Sequence, residues 1–355
     1  MPHADLPARV TLPSMPANSS VRRRVLLILT IVASLGADDP PKPAAAQPPA
    51  PSFDRKSDVI YGRLPGVALT MDVFTPKTDA PVKSNRRAVI WVISGGWASA
   101  HESIDNPFFG TSVLEMFIRP LVQRGYTVFA VVHGSQPKYT ITEILPQLNR
   151  AVRFIRVNAK DFGVDPDHFG IVGASAGGHL SLMQGISPEP ANDKSPDPLD
   201  RVSSAVQAVA AFVPPTDFLN YGAEGVNGMG EGPLGWLKAP FDFQELTKKE
   251  GGPFGGYFVY ERITDEKRLQ EIGRKISPIY HVDKGDAPVL MLAGEVDRLV
   301  PLQQMQSLKA KLDEAKVTNE LIVRPKADHA WPEMGQDMQK VADWFDKHLG
   351  VERMP

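Results

Sequence analysis

Short apolar runs alternate with stretches of helical period through most of the chain. Ala88-Val-Ile-Trp-Val-Ile93, Tyr126-Thr-Val-Phe-Ala-Val-Val132, Phe169-Gly-Ile-Val172, Ala205 to Val213, Ala287 to Ala293 and Glu320-Leu-Ile-Val-Arg324 are each about one strand long. Most are apolar without a break, which is what a strand buried on both faces requires. Between two of them, apolar residues fall at 141, 144, 145, 148, 152 and 155, the spacing of a helix with one buried face. Strands alternating with helices predict an α/β fold, a mostly parallel sheet with helices on both faces. Ahead of these, Val59-Ile-Tyr61 and Val67 to Val73, divided by Pro65-Gly66, read as an opening antiparallel hairpin. There is no internal repeat.

Two regions depart from this pattern. Arg22-Arg23-Arg24 precedes the apolar run Val25 to Leu35, which is too short to cross a bilayer and suits a signal-peptide core. Small residues at Ser34 and Gly36 place cleavage near Ala37, Met15 offers a second start, and the paired arginines also fit a twin-arginine signal. The expectation is a signal peptide over 1–37, export to the periplasm or beyond, a Pro/Ala-rich linker over 38–56, and a catalytic domain over 57–355. The second region, about 218–275, is rich in glycine and carries Tyr221, Trp236, Phe241, Phe243, Phe254, Tyr257, Phe258 and Tyr260. It reads equally as a cap inserted over the active site or as an aromatic mini-core packed on the domain.

Composition narrows the class. A chain of 355 residues with 42% apolar residues can bury one large core. The formal charge of −2 argues against a nucleic-acid partner or an anionic membrane surface. No glycine loop of the phosphate-cradling type and no histidine cluster of metal-ligand spacing is present, so neither a cofactor nor a metal is expected. With no cysteine, disulfides are excluded and the redox compartment is left open.

The chemistry is concentrated around Gly173-Ala-Ser-Ala-Gly-Gly178, directly after an apolar strand and before a helical pattern with Leu180, Leu182 and Met183. This is G-x-S-x-G in its strand-turn-helix setting, and it makes Ser175 the candidate nucleophile. A side chain at 173 or 177 would collide with neighbouring backbone, which is the steric reason for glycine there. A serine hydroxyl needs a base and a carboxylate to orient that base. Asp297, on the turn after the strand at Ala287, is preferred to Glu295, which comes earlier and faces solvent or a local backbone donor. His329, in the loop after Glu320 to Arg324, is the base; Asp328 beside it points elsewhere. For the oxyanion hole, Ser94-Gly95-Gly96-Trp97 follows a strand, so the N–H groups of Gly95, Gly96 and Ala176 are the candidate donors. Trp97 and His133 are candidates to line the pocket, with His101 behind them. His179 is read as packing or capping, His281 as a structural hydrogen-bonding residue, and His3, His168 and His348 as uninvolved.

Together, Ile93-Ser-Gly-Gly-Trp97, Gly173 to His179, Gly294-Glu-Val-Asp297 and Asp328-His329 resemble the α/β-hydrolase esterases. Within that fold the chain is most similar, over roughly 57–349, to hormone-sensitive-lipase-like carboxylesterases and bacterial feruloyl and acetylxylan esterases. Such relatives carry His-Gly-Gly-Gly-Trp; Ile93 and Ser94 stand here where the histidine and first glycine would be. The resemblance implies an α/β-hydrolase fold and a serine esterase working through an acyl-enzyme. Its substrate would be a small-molecule or polysaccharide-linked ester with a short acyl or aryl group, with no cofactor and no stable membrane span. Two other classes compete: a serine peptidase of prolyl-oligopeptidase type, for which the long N-terminal propeller-like region is missing, and a noncatalytic binding protein on a hydrolase scaffold.

Overall fold

The computed structural model describes residues 53–108 and 111–351. The expected signal peptide over 1–37 and most of the expected linker over 38–56 lie outside the described residues. An eight-stranded sheet organises the domain: β1 (Phe53–Leu64), β2 (Val67–Pro76), β3 (Ala88–Ile93), β4 (Thr127–Val132), β5 (Phe169–Ala174), β6 (Ala208–Phe212), β7 (Val289–Gly294) and β8 (Asn319–Arg324). Their spatial order is β1-β2-β4-β3-β5-β6-β7-β8. β3 to β8 are mutually parallel, while β2 pairs antiparallel with both β1 and β4.

Every residue of β3, β6 and β7 is buried, as an unbroken apolar run demands. Alternate side chains enter two separate cores. Ile90, Val92, Ile171, Val209 and Met291 face the helices Ile141–Val157 (α1), Ala176–Ile186 (α2) and Gln303–Glu314 (α4). Val89, Trp91, Val172, Ala210 and Leu292 face the short helix Arg119–Gln123 and the last helix Met338–His348 (α5). A further helix, Glu266–Lys275 (α3), closes the insertion. α1 begins at a capping box in which Glu143 accepts the Thr140 N–H at 2.8 Å.

β1 starts at Phe53, four residues ahead of the expected domain start at 57. Phe53 pairs with Pro76 and packs edge-on against Phe74 at 5.6 Å, and Arg55 forms an ion pair with buried Asp72, so the polar-looking lead-in is structural. The insertion divides in two. Tyr221, Phe241 and Phe243 are buried with Phe218 and Trp97, whereas 244–262 forms an exposed two-stranded hairpin.

Candidate active site

The nucleophile position is built by backbone geometry. Ser175 is the single residue between β5 and α2, with φ 55° and ψ −120°, a region that side chains with a Cβ rarely enter. Its N–H donates to Phe212 O at 2.8 Å, and its carbonyl accepts the His179 N–H at 2.9 Å. The turn is possible because its flanks are glycine. A Cβ on Gly173 would lie 2.5 Å from the Gly177 backbone, and one on Gly177 would lie 2.7 Å from Val92 O.

Two loops at the carboxyl ends of β7 and β8 supply the rest. Ser175 Oγ lies 3.0 Å from His329 Nε2, and His329 Nδ1 lies 2.8 Å from Asp297 Oδ2. Because Nδ1 faces a carboxylate it carries the proton, which leaves Nε2 bare to accept the serine proton. The other Asp297 oxygen accepts the N–H groups of Leu299 and Val300, both at 2.8 Å, which fixes this buried carboxylate. Glu295 points away and accepts the Lys326 N–H at 2.7 Å.

Asp328 has a role that the sequence did not disclose. It accepts from the Arg298 backbone at 3.0 Å and from the Arg298 guanidinium at 2.7 Å, and it accepts the His329 N–H at 2.9 Å. The Arg298 N–H and guanidinium, with the His329 N–H, hold its carboxyl down at about 2. It thereby ties the loop of Asp297 to the loop of His329. Gly294 permits that approach, since a Cβ there would lie 2.2 Å from Asp328 O.

The candidate oxyanion loop requires a correction. Gly95 N–H donates to Ala98 O at 2.9 Å and Ala98 N–H returns to Gly95 O at 2.9 Å. Between them Gly96 has φ 54° and Trp97 φ 59°. Two consecutive positive φ values closed by that pair make a type I′ turn, and the turn consumes the Gly95 N–H. The candidate donors that stay open among the described residues are Gly96 and Ala176, the latter at the first position of α2, where no intrahelical partner exists. Trp97 tolerates its backbone because its side chain is anchored: Nε1 donates to His179 Nδ1 at 3.2 Å, and His179 Nε2 donates to Ile276 O at 2.7 Å. Ser99 adds a second clamp, its hydroxyl donating to Ile93 O and accepting the His133 N–H. Ile93, which ends β3, and Ser94 after it therefore lead into a loop fixed by other residues.

Neither candidate pocket residue lines open space. Trp97 is buried against Phe218, Phe241 and His179. His133 is buried too, its Nδ1 donating to Gly134 O at 2.8 Å, and burial pulls its pKa down to about 4. His281 Nε2 bonds Lys275 O at 2.9 Å. His101 lies beside Thr70 and Asp72 and, with Asp58, forms a group whose ligand-type atoms lie within 4.8 Å of one another. Linear spacing could not reveal this group, because the three residues come from β1, β2 and a loop. Arg55 already neutralises Asp72 at 2.6 Å, so the group acts as a polar tie between those elements.

A serine, a histidine and a carboxylate in hydrogen-bonded series, with N–H groups beside the serine, define a site competent for acyl transfer. Fold and site together are those of an α/β-hydrolase of the serine type. The chain belongs to the BD-FAE family, whose profile matches residues 71–312. It is 29% identical over 283 residues to Esterase LipQ of Mycobacterium tuberculosis, covering 78% of this chain and 57% of that protein. Esterase LipC of the same organism is 26% identical, over 72% of this chain and 54% of its own. The chain thus spans just over half the length of these curated relatives. Among solved structures, a truncated carbohydrate esterase from gut microbiota superposes with a TM-score of 0.64 at 21% identity, covering 85% of this chain and 99% of the other. The butyrate-bound esterase 2 of Thermogutta terrifontis gives 0.59 at 20% identity, covering 87% and 98%. At these identities the likeness establishes a shared fold.

Proposed function

We propose that this protein is a serine carboxylesterase, exported from the cytoplasm, that cleaves short-acyl or aryl esters, including those borne on plant polysaccharide. The carrying observation is the unbroken series Ser175 Oγ, His329 and Asp297 at 3.0 and 2.8 Å. In the reaction, His329 removes the Ser175 proton as Oγ bonds to the ester carbonyl carbon. The carbonyl oxygen gains the displaced electron pair beside the N–H groups of Gly96 and Ala176. His329 then returns the proton to the departing alcohol, leaving an acyl-serine. Water repeats the sequence, losing a proton to His329 and releasing the acid and free serine.

The names of the relatives support ester rather than peptide cleavage, and the carbohydrate-esterase likeness supports a sugar-linked ester. The Arg22 to Leu35 segment supports export. The test is a panel of p-nitrophenyl esters of rising acyl length, methyl ferulate, acetylated xylan and a peptide anilide, run with the native chain and Ser175→Ala. The expectation is highest kcat/KM among acetyl to butyryl or feruloyl esters, no anilide cleavage, and loss of nearly all turnover in a folded Ser175→Ala protein. An optimum at long acyl chains sinks the substrate reading, and near-native turnover in Ser175→Ala sinks the mechanism. Fractionation of cells expressing the full chain, with and without Arg22→Ala and Arg23→Ala, tests export.

A further inference from the structure

We propose that the hairpin formed by Gln244–Glu250 and Gly256–Arg262 is a self-association surface, and that its occupant is the same hairpin of a second copy of this chain. No residue of either strand is buried, and among the described residues the two strands pair only with each other. Their register runs without a shift from Gly256 opposite Glu250 to Arg262 opposite Gln244. A lone two-stranded hairpin is marginal in water, and folded proteins blunt open edges with bulges, prolines or charges. Neither strand contains a bulge or a proline.

The side chains say which edge is open. Gln244–Glu250 carries Glu245, Lys248, Lys249 and Glu250, a charged composition that guards an edge. Gly256–Arg262 instead carries Tyr257, Phe258, Val259 and Tyr260. Alternation puts Phe258, Tyr260 and Leu246 on one face, opposite the face of the Lys249–Glu261 ion pair. Tyr260 is 72% exposed, Phe258 64%, and Phe254 in the glycine-rich tip 94%. Tyr221, Phe241 and Phe243 of the same insertion are buried, and of its exposed aromatics only Trp236 lies outside the hairpin.

The area fits the occupant. At roughly 200 Å² per fully exposed aromatic ring, Phe254 in the tip with Phe258 and Tyr260 on one face leave on the order of 450 Å² of side chain in solvent. Leu246, exposed on the same face, and the open strand edge add to it, toward the ~800 Å² per partner of a standard interface. The sequence is also self-complementary. Antiparallel pairing of Gly256–Arg262 with its copy about a twofold axis at Val259 sets Phe258 opposite Tyr260 of the second copy, and the reverse. It sets Tyr257 opposite Glu261 and Gly256 opposite Arg262, so no like charges meet.

Sedimentation velocity of the full chain over a wide concentration range tests the proposal. The native protein is expected to be dimeric, and Phe258→Asp/Tyr260→Asp monomeric with its circular dichroism and ester turnover retained. If that double variant fails to fold, Tyr260→Lys replaces it. The absence of cysteine permits a sharper test. A residue on the axis faces its own copy at a Cα separation of about 4.5–5.5 Å, within disulfide range, so Val259→Cys should cross-link two chains on mild oxidation while Leu246→Cys should not. A monomeric native protein, a dimer that survives the double aspartate change, or no Val259→Cys cross-link overturns the proposal. So does a monomer that binds insoluble xylan or anionic vesicles through the same side chains, which would give the surface another occupant.

Discussion

Asp297 and Glu295 are two residues apart on one turn, yet only one reaches the histidine. Asp297 accepts two backbone N–H groups with one oxygen and His329 with the other, while Glu295 is spent on Lys326. Asp297→Asn is expected to lower kcat by up to about ten-thousandfold through the wrong histidine tautomer. Glu295→Gln is expected to leave kcat within about threefold, as a surface change should. Steady-state kinetics on p-nitrophenyl acetate separates them, and a larger loss in Glu295→Gln would reverse the assignment. The glycines divide in the same way. Gly95→Ala meets nothing within 4 Å and should keep most activity, since its N–H already serves the turn. Gly294→Ala puts a Cβ 2.2 Å from Asp328 O, so it should displace the His329 loop and cut kcat more than tenfold, on the order of a misplaced catalytic group. Equal activity in the two variants would show that the loop absorbs the clash.

Among elements, the decisive link joins the oxyanion loop to the helix behind the nucleophile. The Trp97–His179–Ile276 series crosses from the loop after β3, through α2, to the end of α3. Burial pulls the His179 pKa from the ordinary 6.5 down to about 4. A histidine depressed in the folded state is protonated first in the unfolded chain, so its contribution is complete above pH 6.5, shrinks as pH falls, and levels off below about pH 4. The loss across that window is about 3 kcal/mol. Melting temperatures between pH 7.5 and pH 4.5 should therefore fall less steeply in His179→Phe than in the native chain, even if the variant is less stable throughout. Comparing the slopes cancels the other titrating groups, including buried His133. Identical slopes would mean that His179 is already protonated, or solvated, when folded.

At the scale of the whole molecule, the insertion is two objects rather than one cap. Its first part, with Tyr221, Phe241 and Phe243, is continuous with the core beneath Trp97; the hairpin at 244–262 adds no buried residue. Replacing 244–262 with a short Gly-Ser loop should leave the melting temperature within a few degrees and preserve turnover of p-nitrophenyl acetate. Replacing Phe241 with Ala should destabilise the fold by about 3–5 kcal/mol, as truncating a buried aromatic does. Thermal melts of both variants decide this, and collapse of the loop-replaced chain would show that the hairpin supports the core. Dependence of acyl-length preference on the first part but not the hairpin would identify which part walls the substrate.

The strands and the elbow were legible in the sequence because each is set by local rules: unbroken apolar runs for strands buried on both faces, and glycines where backbones meet. The order Ser175, Asp297, His329 was legible too, because each residue comes after its own strand at the same sheet edge. What the sequence left open depended on distance through space. That Gly95 spends its N–H on Ala98, that Asp328 ties two loops through Arg298, and that Trp97 and His133 are buried all result from contacts between separate segments. The division of the aromatic insertion is of the same kind, since Phe243 and Phe258 are the same residue type and differ only in whether packing reaches them. A side chain's type and local period fix what it can do, but tertiary structure decides which of its possible partners it meets.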